Sequence, residues 1–60
     1  MKEYKFVCVG VRNSDSAAHE KLCKDTEDKM NELAAQGWNV VSVCHTIELG
    51  EIRNYITFER

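Results

Sequence analysis

The sequence predicts an α+β fold in the order strand, helix, strand, strand (βαββ). Three observations predict it: an alternating apolar run at residues 3–11, an amphipathic pattern from about Ala17 to Gln36, and two strand-like runs separated by Gly50-Glu51. The sheet order 1-3-2 makes every neighbouring pair of strands antiparallel, which is the commoner arrangement. We therefore expect one domain, residues 1–60, with the helix packed on one face of a three-stranded antiparallel sheet.

The first predicted strand has apolar side chains on both faces. Tyr4, Phe6 and Cys8 point to one side, because successive strand residues alternate. The run opens with polar and apolar residues in alternation, so we place Tyr4 and Phe6 on the core. The opposite face then carries three valines, Val7, Val9 and Val11. The alternative turns the strand over and puts the valines under the helix, which again leaves an apolar face uncovered.

The predicted helix has one apolar stripe. Its members recur at three- and four-residue spacing: Leu22, Cys23, Thr26, Met30, Leu33 and Ala34. The other positions are mostly charged and are typical of a solvated helix face. Ser14, Asp15 or Ser16 could accept hydrogen bonds from the first free N–H groups of this helix.

The helix is predicted to end at Gly37-Trp38. Gly37 follows good helix formers and has no Cβ, so it suits the left-handed residue of a Schellman cap. In that motif Leu33 and Trp38 occupy the two positions whose apolar side chains meet. Leu33, Gly37 and Trp38 are therefore predicted to have a structural role, in which the indole joins the helix end to the following strand.

The last two strands are predicted to form a hairpin. If Gly50-Glu51 is a two-residue type II′ turn, Leu49 pairs with Ile52 and the register is fixed. The pairs expected on the mainly apolar face, turned to the helix, are Ile47 with Asn54, His45 with Ile56, and Val43 with Phe58. Those expected on the polar face are Glu48 with Arg53, Thr46 with Tyr55, and Cys44 with Thr57.

The sequence resembles a small, mostly prokaryotic family of domains of unknown function with a βαββ pattern. The family has a Tyr-Lys opening, a helix that ends Leu-Asn-x-Leu-(Ala/Gly)-x-x-Gly-Trp, a Val-Val-Ser-Val-like strand and a Phe-x-Arg-like end. The matching segments are residues 3–7, 30–38, 40–43 and 58–60. Met30 stands where the family usually has Leu, and the three cysteines are not part of its pattern. The resemblance implies the fold and a prokaryotic or phage-like setting, but no activity.

Composition favours a small cytoplasmic protein. The formal net charge is −2 and the cations are interleaved with acids, so we expect no nucleic-acid partner. No apolar run is near membrane-spanning length, so we expect no membrane-spanning segment. Three cysteines without C-x-x-C spacing favour reduced thiols. A domain of this size buries only about 60% of its unfolded surface, so a partner subunit is a common source of stability.

The sequence contains no catalytic signature, and we predict neither an enzyme nor a cofactor. His19 and Cys23 have the spacing of two metal ligands on a helix, and Cys8 and His45 could face them from the sheet. Because no strict ligand spacing supports this set, we predict that no metal is needed for folding. Cys44 and His45 are adjacent in one strand and point to opposite faces, so they cannot pair as nucleophile and base.

The function expected from these observations is non-catalytic. We expect a homo-oligomer, most simply a dimer, that acts through self-association and protein or ligand binding. The candidate interface is the side of the sheet away from the helix, or a sheet edge, with Val7, Val9, Val11, Val40 and Tyr55 exposed there. The alternatives are a regulator that binds a metal or small ligand through Cys and His groups, and a phage-like inhibitor of a host protein.

Overall fold

The structure, a computed structural model, describes residues 1–14 and 16–60. Its elements are β1 (Tyr4–Arg12), α1 (Ala17–Ala34), β2 (Asn39–Glu48) and β3 (Glu51–Glu59). The strands form one sheet in the order β1-β3-β2, and both neighbouring pairs are antiparallel. The predicted class, the βαββ order and the sheet order are confirmed. No helix in the described part of the chain is long and apolar enough to cross a membrane.

The core is built on β3, which lies between the other two strands. Every second residue of β3 is buried against α1, and these residues are Ile52, Asn54, Ile56 and Phe58. Two apolar clusters result. Ile56 and Phe58 pack with Leu33 and Trp38, and Ile52 packs with Ala18 and Leu22.

The predicted facing of β1 is wrong, and the alternative facing is the one observed. Val7 and Val9 pack against the first cluster, and Val9 and Val11 pack against the second. Tyr4 and Phe6 lie on the other side of the sheet and are exposed. Since every residue of β1 from Phe6 to Val9 is apolar, the alternation alone could not decide which side meets the helix.

The buried side of α1 is narrower than predicted and extends further toward the N-terminus. Ala18, Leu22, Thr26 and Leu33 are buried, and Met30 is partly buried, whereas Cys23 and Ala34 are exposed. A single helix on a thin sheet offers a narrow contact stripe, so residues one position away from it reach solvent. Ser16 is the N-cap residue and makes no side-chain capping bond. Asp15, another predicted cap, lies outside the described residues.

The end of α1 has the hydrogen bonds of a Schellman motif. The N–H of Trp38 donates to the carbonyl of Leu33 at 3.1 Å, and the N–H of Gly37 donates to the carbonyl of Ala34 at 3.0 Å. Gly37 has a φ of 92°, in the left-handed region. Leu33 and Trp38 lie in the same buried cluster.

The predicted hairpin register is wrong by two residues, although the predicted faces are right. Ile47 pairs with Ile52 and His45 with Asn54, because the turn is Leu49-Gly50 and not Gly50-Glu51. Leu49 has a φ of 36° and Gly50 a φ of 80°. Positive φ at both central residues is the signature of a type I′ turn, which the Leu side chain gave no reason to expect.

Candidate functional site

The sheet face away from α1 is open to solvent, and we call it the outer face. It carries the following side chains: Tyr4, Phe6 and Cys8 of β1, Arg53, Tyr55 and Thr57 of β3, and Cys44 and Thr46 of β2. Tyr4 is 66% exposed and Phe6 is 68% exposed. The Phe6 and Tyr55 rings are stacked, with centroids 5.7 Å apart and planes 12° from parallel. The aromatic centre of the outer face is therefore ordered by ring contact but remains accessible.

A charged group borders this aromatic centre near the hairpin turn. Arg53 Nε donates to Glu51 Oε2 at 2.9 Å, and Arg53 Nη1 lies 3.6 Å from Glu48 Oε2. Hydrogen bonds with the Tyr55 hydroxyl and with Glu51 raise the pKa of Arg53. Glu48 and Glu51 are directly opposite each other across the hairpin, so Arg53 offsets the repulsion of two like charges.

The helix does not cover β2 on its own side of the sheet. Val40 is 43% exposed, Val43 is 48% exposed and Ile47 is 64% exposed, although they pair with buried residues of β3. We call these three residues the β2 margin. Because β2 is an edge strand, the β2 margin adjoins a row of backbone groups that no other strand pairs within the described residues.

A polar network runs from the core to the surface beside the β2 margin. Asn54 Nδ2 donates to Thr26 Oγ1 at 2.9 Å, and Asn54 Oδ1 lies 2.7 Å from His45 Nδ1. Since the amide oxygen can only accept, His45 Nδ1 carries the proton of this hydrogen bond, and Nε2 is left as the acceptor of the neutral ring. The His19 ring lies next to it, with centroids 6.4 Å apart.

Two cations flank the buried indole at the helix end. The guanidinium carbon of Arg60 lies 4.4 Å from the ring centroid of Trp38, and Lys5 Nζ lies 5.2 Å from it. Arg60 Nη1 also donates to the carbonyl of Gln36 at 3.1 Å, beyond the last turn of α1. Arg60 thus stacks on the indole and places positive charge at the negative end of the helix.

The structure separates the residues predicted to form the interface. Val7, Val9 and Val11 are on the helix side and pack against the core, which corrects their assignment to an exposed face. Tyr55 is on the outer face, as predicted, whereas Val40 is on the helix side of β2 but beyond the helix. Two separate surfaces, the outer face and the β2 margin, replace the predicted one.

The four residues considered as metal ligands do not all lie on the same side of the sheet. They are Cys8, His19, Cys23 and His45. Cys8 lies on the outer face, while His45 and the helix lie on the other side of the sheet, so Cys8 cannot join them. All three cysteines are free and exposed. Among the described residues there is no group of three or more His, Cys, Asp or Glu side chains that could hold a metal ion.

Sequence reasoning missed Asn54 and Arg60. Asn54 was placed on the apolar face opposite Ile47, with no hydrogen-bond partner, whereas it bonds to Thr26 of the helix and to His45, its neighbour across the hairpin. A polar residue in an otherwise apolar strand face was the available signal for a buried hydrogen-bond network. Arg60 appeared only as the end of the Phe-x-Arg-like segment.

Comparison with known families shows which family this βαββ chain resembles. A family described as a domain of unknown function, DUF4177, matches residues 2–60. The chain belongs to this family. No curated protein and no solved structure matches it. The predicted resemblance to a small domain-of-unknown-function family with a βαββ pattern is confirmed, and in this DUF4177 chain the match spans both the Gly37-Trp38 helix end and the outer-face aromatic residues.

Proposed function

We propose that this chain is a small, non-catalytic cytoplasmic protein that acts through self-association and through binding of a protein or ligand. The observation that carries the proposal is the apolar surface left exposed by a single helix on a three-stranded sheet. Tyr4 and Phe6 of β1 on the outer face, and Val43 and Ile47 of β2 on the helix side, are exposed large apolar side chains. Apolar surface of this kind is typical of interfaces.

Size supports the same proposal. Among the described residues there is one helix, α1, and it packs on one side of the sheet, so apolar surface is left open to a partner. A second copy covers such a surface with a matching one, so a closed dimer is the simplest assembly. Three exposed free thiols suit a reducing compartment, which supports the cytoplasmic part of the proposal.

Sedimentation velocity over a protein concentration range from low micromolar to several hundred micromolar tests the proposal. We expect the weight-average mass to rise from the 6.9 kDa of the monomer toward twice that value. A mass that stays at the monomer value across the whole range would contradict self-association. A substitution on the polar helix surface, Lys24→Ser, is the control that should leave the mass unchanged.

The His19 and His45 pair favours a second candidate function, a regulator that binds a metal or small ligand. The hydrogen bond that His45 Nδ1 donates to Asn54 Oδ1 orients the ring, as an outer-shell partner does for a metal-binding histidine. Calorimetric titration of the wild-type protein with Zn²⁺ or Ni²⁺, compared with His19→Ala, tests it. Saturable one-to-one binding that is lost in the variant would support this function, and heat indistinguishable from buffer would exclude it for these metals.

A further inference from the structure

We propose that two copies of this chain pair through their β2 edges, antiparallel and around a twofold axis at His45. The product is a continuous sheet of six strands, three from each copy. This inference rests on the proposed self-association and names the surface that performs it. It selects the β2 edge over the outer face.

Residues 43–47 of the β2 edge lack the features that normally prevent strand pairing. Exposed edges are usually protected by Lys, Pro, bulges or inward-pointing charges. The sequence has no proline, and Glu48 at the turn is the only Asp, Glu, Lys or Arg of Asn39–Glu48. The register irregularity of β2 is confined to the step between Val40 and Ser42, which leaves residues 43–48 regular. The opposite edge, β1, carries Lys5 and Arg12.

The hydrogen-bonding groups of β2 are placed for a partner strand. The two residues that flank a two-residue hairpin turn, here Glu48 and Glu51, exchange both backbone hydrogen bonds. Because the bonding direction alternates along an antiparallel strand, Val43, His45 and Ile47 direct their N–H and C=O groups away from β3. These groups lie in the regular part of the open edge.

The positions of these three residues determine the register of the dimer. With His45 opposite His45 of the second copy, Val43 lies opposite Ile47 of that copy, and the reverse pair follows by symmetry. All three residues then pair, and each pair exchanges two hydrogen bonds. Moving the axis to Cys44 leaves Ile47 opposite the irregular segment at Val41, so fewer bonds form.

The side chains agree with the same register. Val43 and Ile47, which are 48% and 64% exposed in one copy, meet across the new strand pair on the helix side. On the outer face, Cys44 lies opposite Thr46, and Glu48 lies opposite Ser42. No two residues of like formal charge face each other, so the strand is its own complement in this arrangement.

Two charge substitutions of closely similar exposure test the surface. Ile47 is 64% exposed and Phe6 is 68% exposed, so neither Ile47→Lys nor Phe6→Lys removes a buried side chain. We expect Ile47→Lys to raise the dimer dissociation constant by about tenfold or more, as for a central interface residue, and Phe6→Lys to leave it within about twofold. The measurement is sedimentation equilibrium, with circular dichroism to verify the fold.

The outcomes separate this inference from the proposed function. A wild-type protein that stays monomeric overturns both. A dimer that Phe6→Lys weakens and Ile47→Lys does not would retain self-association but overturn the β2 pairing, and would move the interface to the outer face.

Disulfide crosslinking tests the register. In a background with the three exposed cysteines replaced by serine, His45→Cys places two thiols at Cα positions about 5.5 Å apart, which suits a disulfide. We expect rapid oxidation to a covalent dimer, and slower oxidation in a chain that retains only Cys44. The opposite order of rates would overturn the axis at His45.

A second crosslinking variant tests the same register while keeping the His45 side chain and its hydrogen bond to Asn54. The double variant Val43→Cys/Ile47→Cys should crosslink between copies, whereas each single variant should not. Within one copy these positions are roughly 13 Å apart along the strand, too far for a disulfide. Failure of the double variant to crosslink, while the dimer persists in solution, would contradict the register.

Discussion

At the scale of single residues, Gly37 and Trp38 determine how α1 ends. Gly37 has a φ of 92°, and a Cβ added there would meet nothing within 4 Å, so the cost of Gly37→Ala is backbone strain alone. We expect this variant to lower the free energy of unfolding by about 1–2 kcal/mol. Trp38→Ala should cost more, about 3–5 kcal/mol, because the indole is buried. Urea denaturation measures both, and unchanged midpoints would contradict this account of the helix end.

The buried polar network allows a second residue-scale prediction. Thr26→Val keeps the shape of the side chain but removes the oxygen to which Asn54 Nδ2 donates. Since a buried donor then lacks its acceptor, we expect a loss of about 1–3 kcal/mol in unfolding free energy. His45→Ala, at the exposed end of the network, should cost less. A loss of unfolding free energy for His45→Ala as large as that for Thr26→Val would contradict this ranking of the two hydrogen bonds.

Residue-scale features differ in how far the sequence could predict them. The helix end was predictable, because Leu33, Gly37 and Trp38 are close in sequence and each has a known role in one local motif. The network was not, because Thr26 reaches Asn54 only when helix and sheet pack together, and the pairing of His45 with Asn54 depends on the hairpin register, which was predicted wrongly. The stacking of Arg60 on Trp38 likewise depends on tertiary structure, because it needs the end of β3 to lie beside the start of β2.

At the scale of elements, the β2–β3 turn contains a residue in an unfavourable conformation. Leu49 is fully exposed and has a φ of 36°, where Asn is far better tolerated than Leu. We expect Leu49→Asn to stabilise the protein by roughly 0.5–1 kcal/mol, since no packing is lost. Thermal unfolding measures the gain. Leu49→Ile, which keeps the apolar character but is β-branched, is the matched control and should destabilise.

The same turn explains why the predicted register was wrong while the faces were right. Placing Gly50 first in the turn follows the usual preference of type II′ turns, but the chain places Leu49 first and Gly50 second. This moves the pairing by two residues, and a two-residue shift returns every side chain to its original face. The alternation of apolar and polar residues therefore predicted which side of β2 is apolar. The usual residue preferences of turns predicted the wrong pairing partners in β3.

The facing of β1 gives an element-scale prediction of a different kind. Val9 packs against both core clusters, so Val9→Lys places a charge under the helix. Because Val9 is partly buried at both clusters, the charge loses part of its hydration there, and we expect a clearly lower melting temperature in a domain with little stability to lose. Circular dichroism and thermal melts measure this. Val9→Ala, the milder control, should fold with reduced stability. A Val9→Lys protein that melts at the wild-type temperature would instead indicate that the valines face outward.

At the scale of the whole molecule, folding and association are expected to be linked. A single helix covers part of one face of the sheet, so the isolated domain has a small core and an edge available for pairing. If the folded dimer is the stable form, mass action makes the melting temperature depend on protein concentration. A tenfold increase in concentration adds about 0.7 kcal/mol per chain, which corresponds to roughly 3–6 °C in a domain of this size.

Differential scanning calorimetry at two concentrations tenfold apart measures this dependence. Ile47→Lys should show a clearly weaker dependence of its melting temperature on concentration, because its dimer dissociates more readily. Phe6→Lys should keep the dependence of the wild-type protein, since the outer face takes no part in the pairing of β2 edges. A wild-type melting temperature that is the same at both concentrations would show that the domain reaches its stability without a partner, and the exposed β2 margin would then need another explanation.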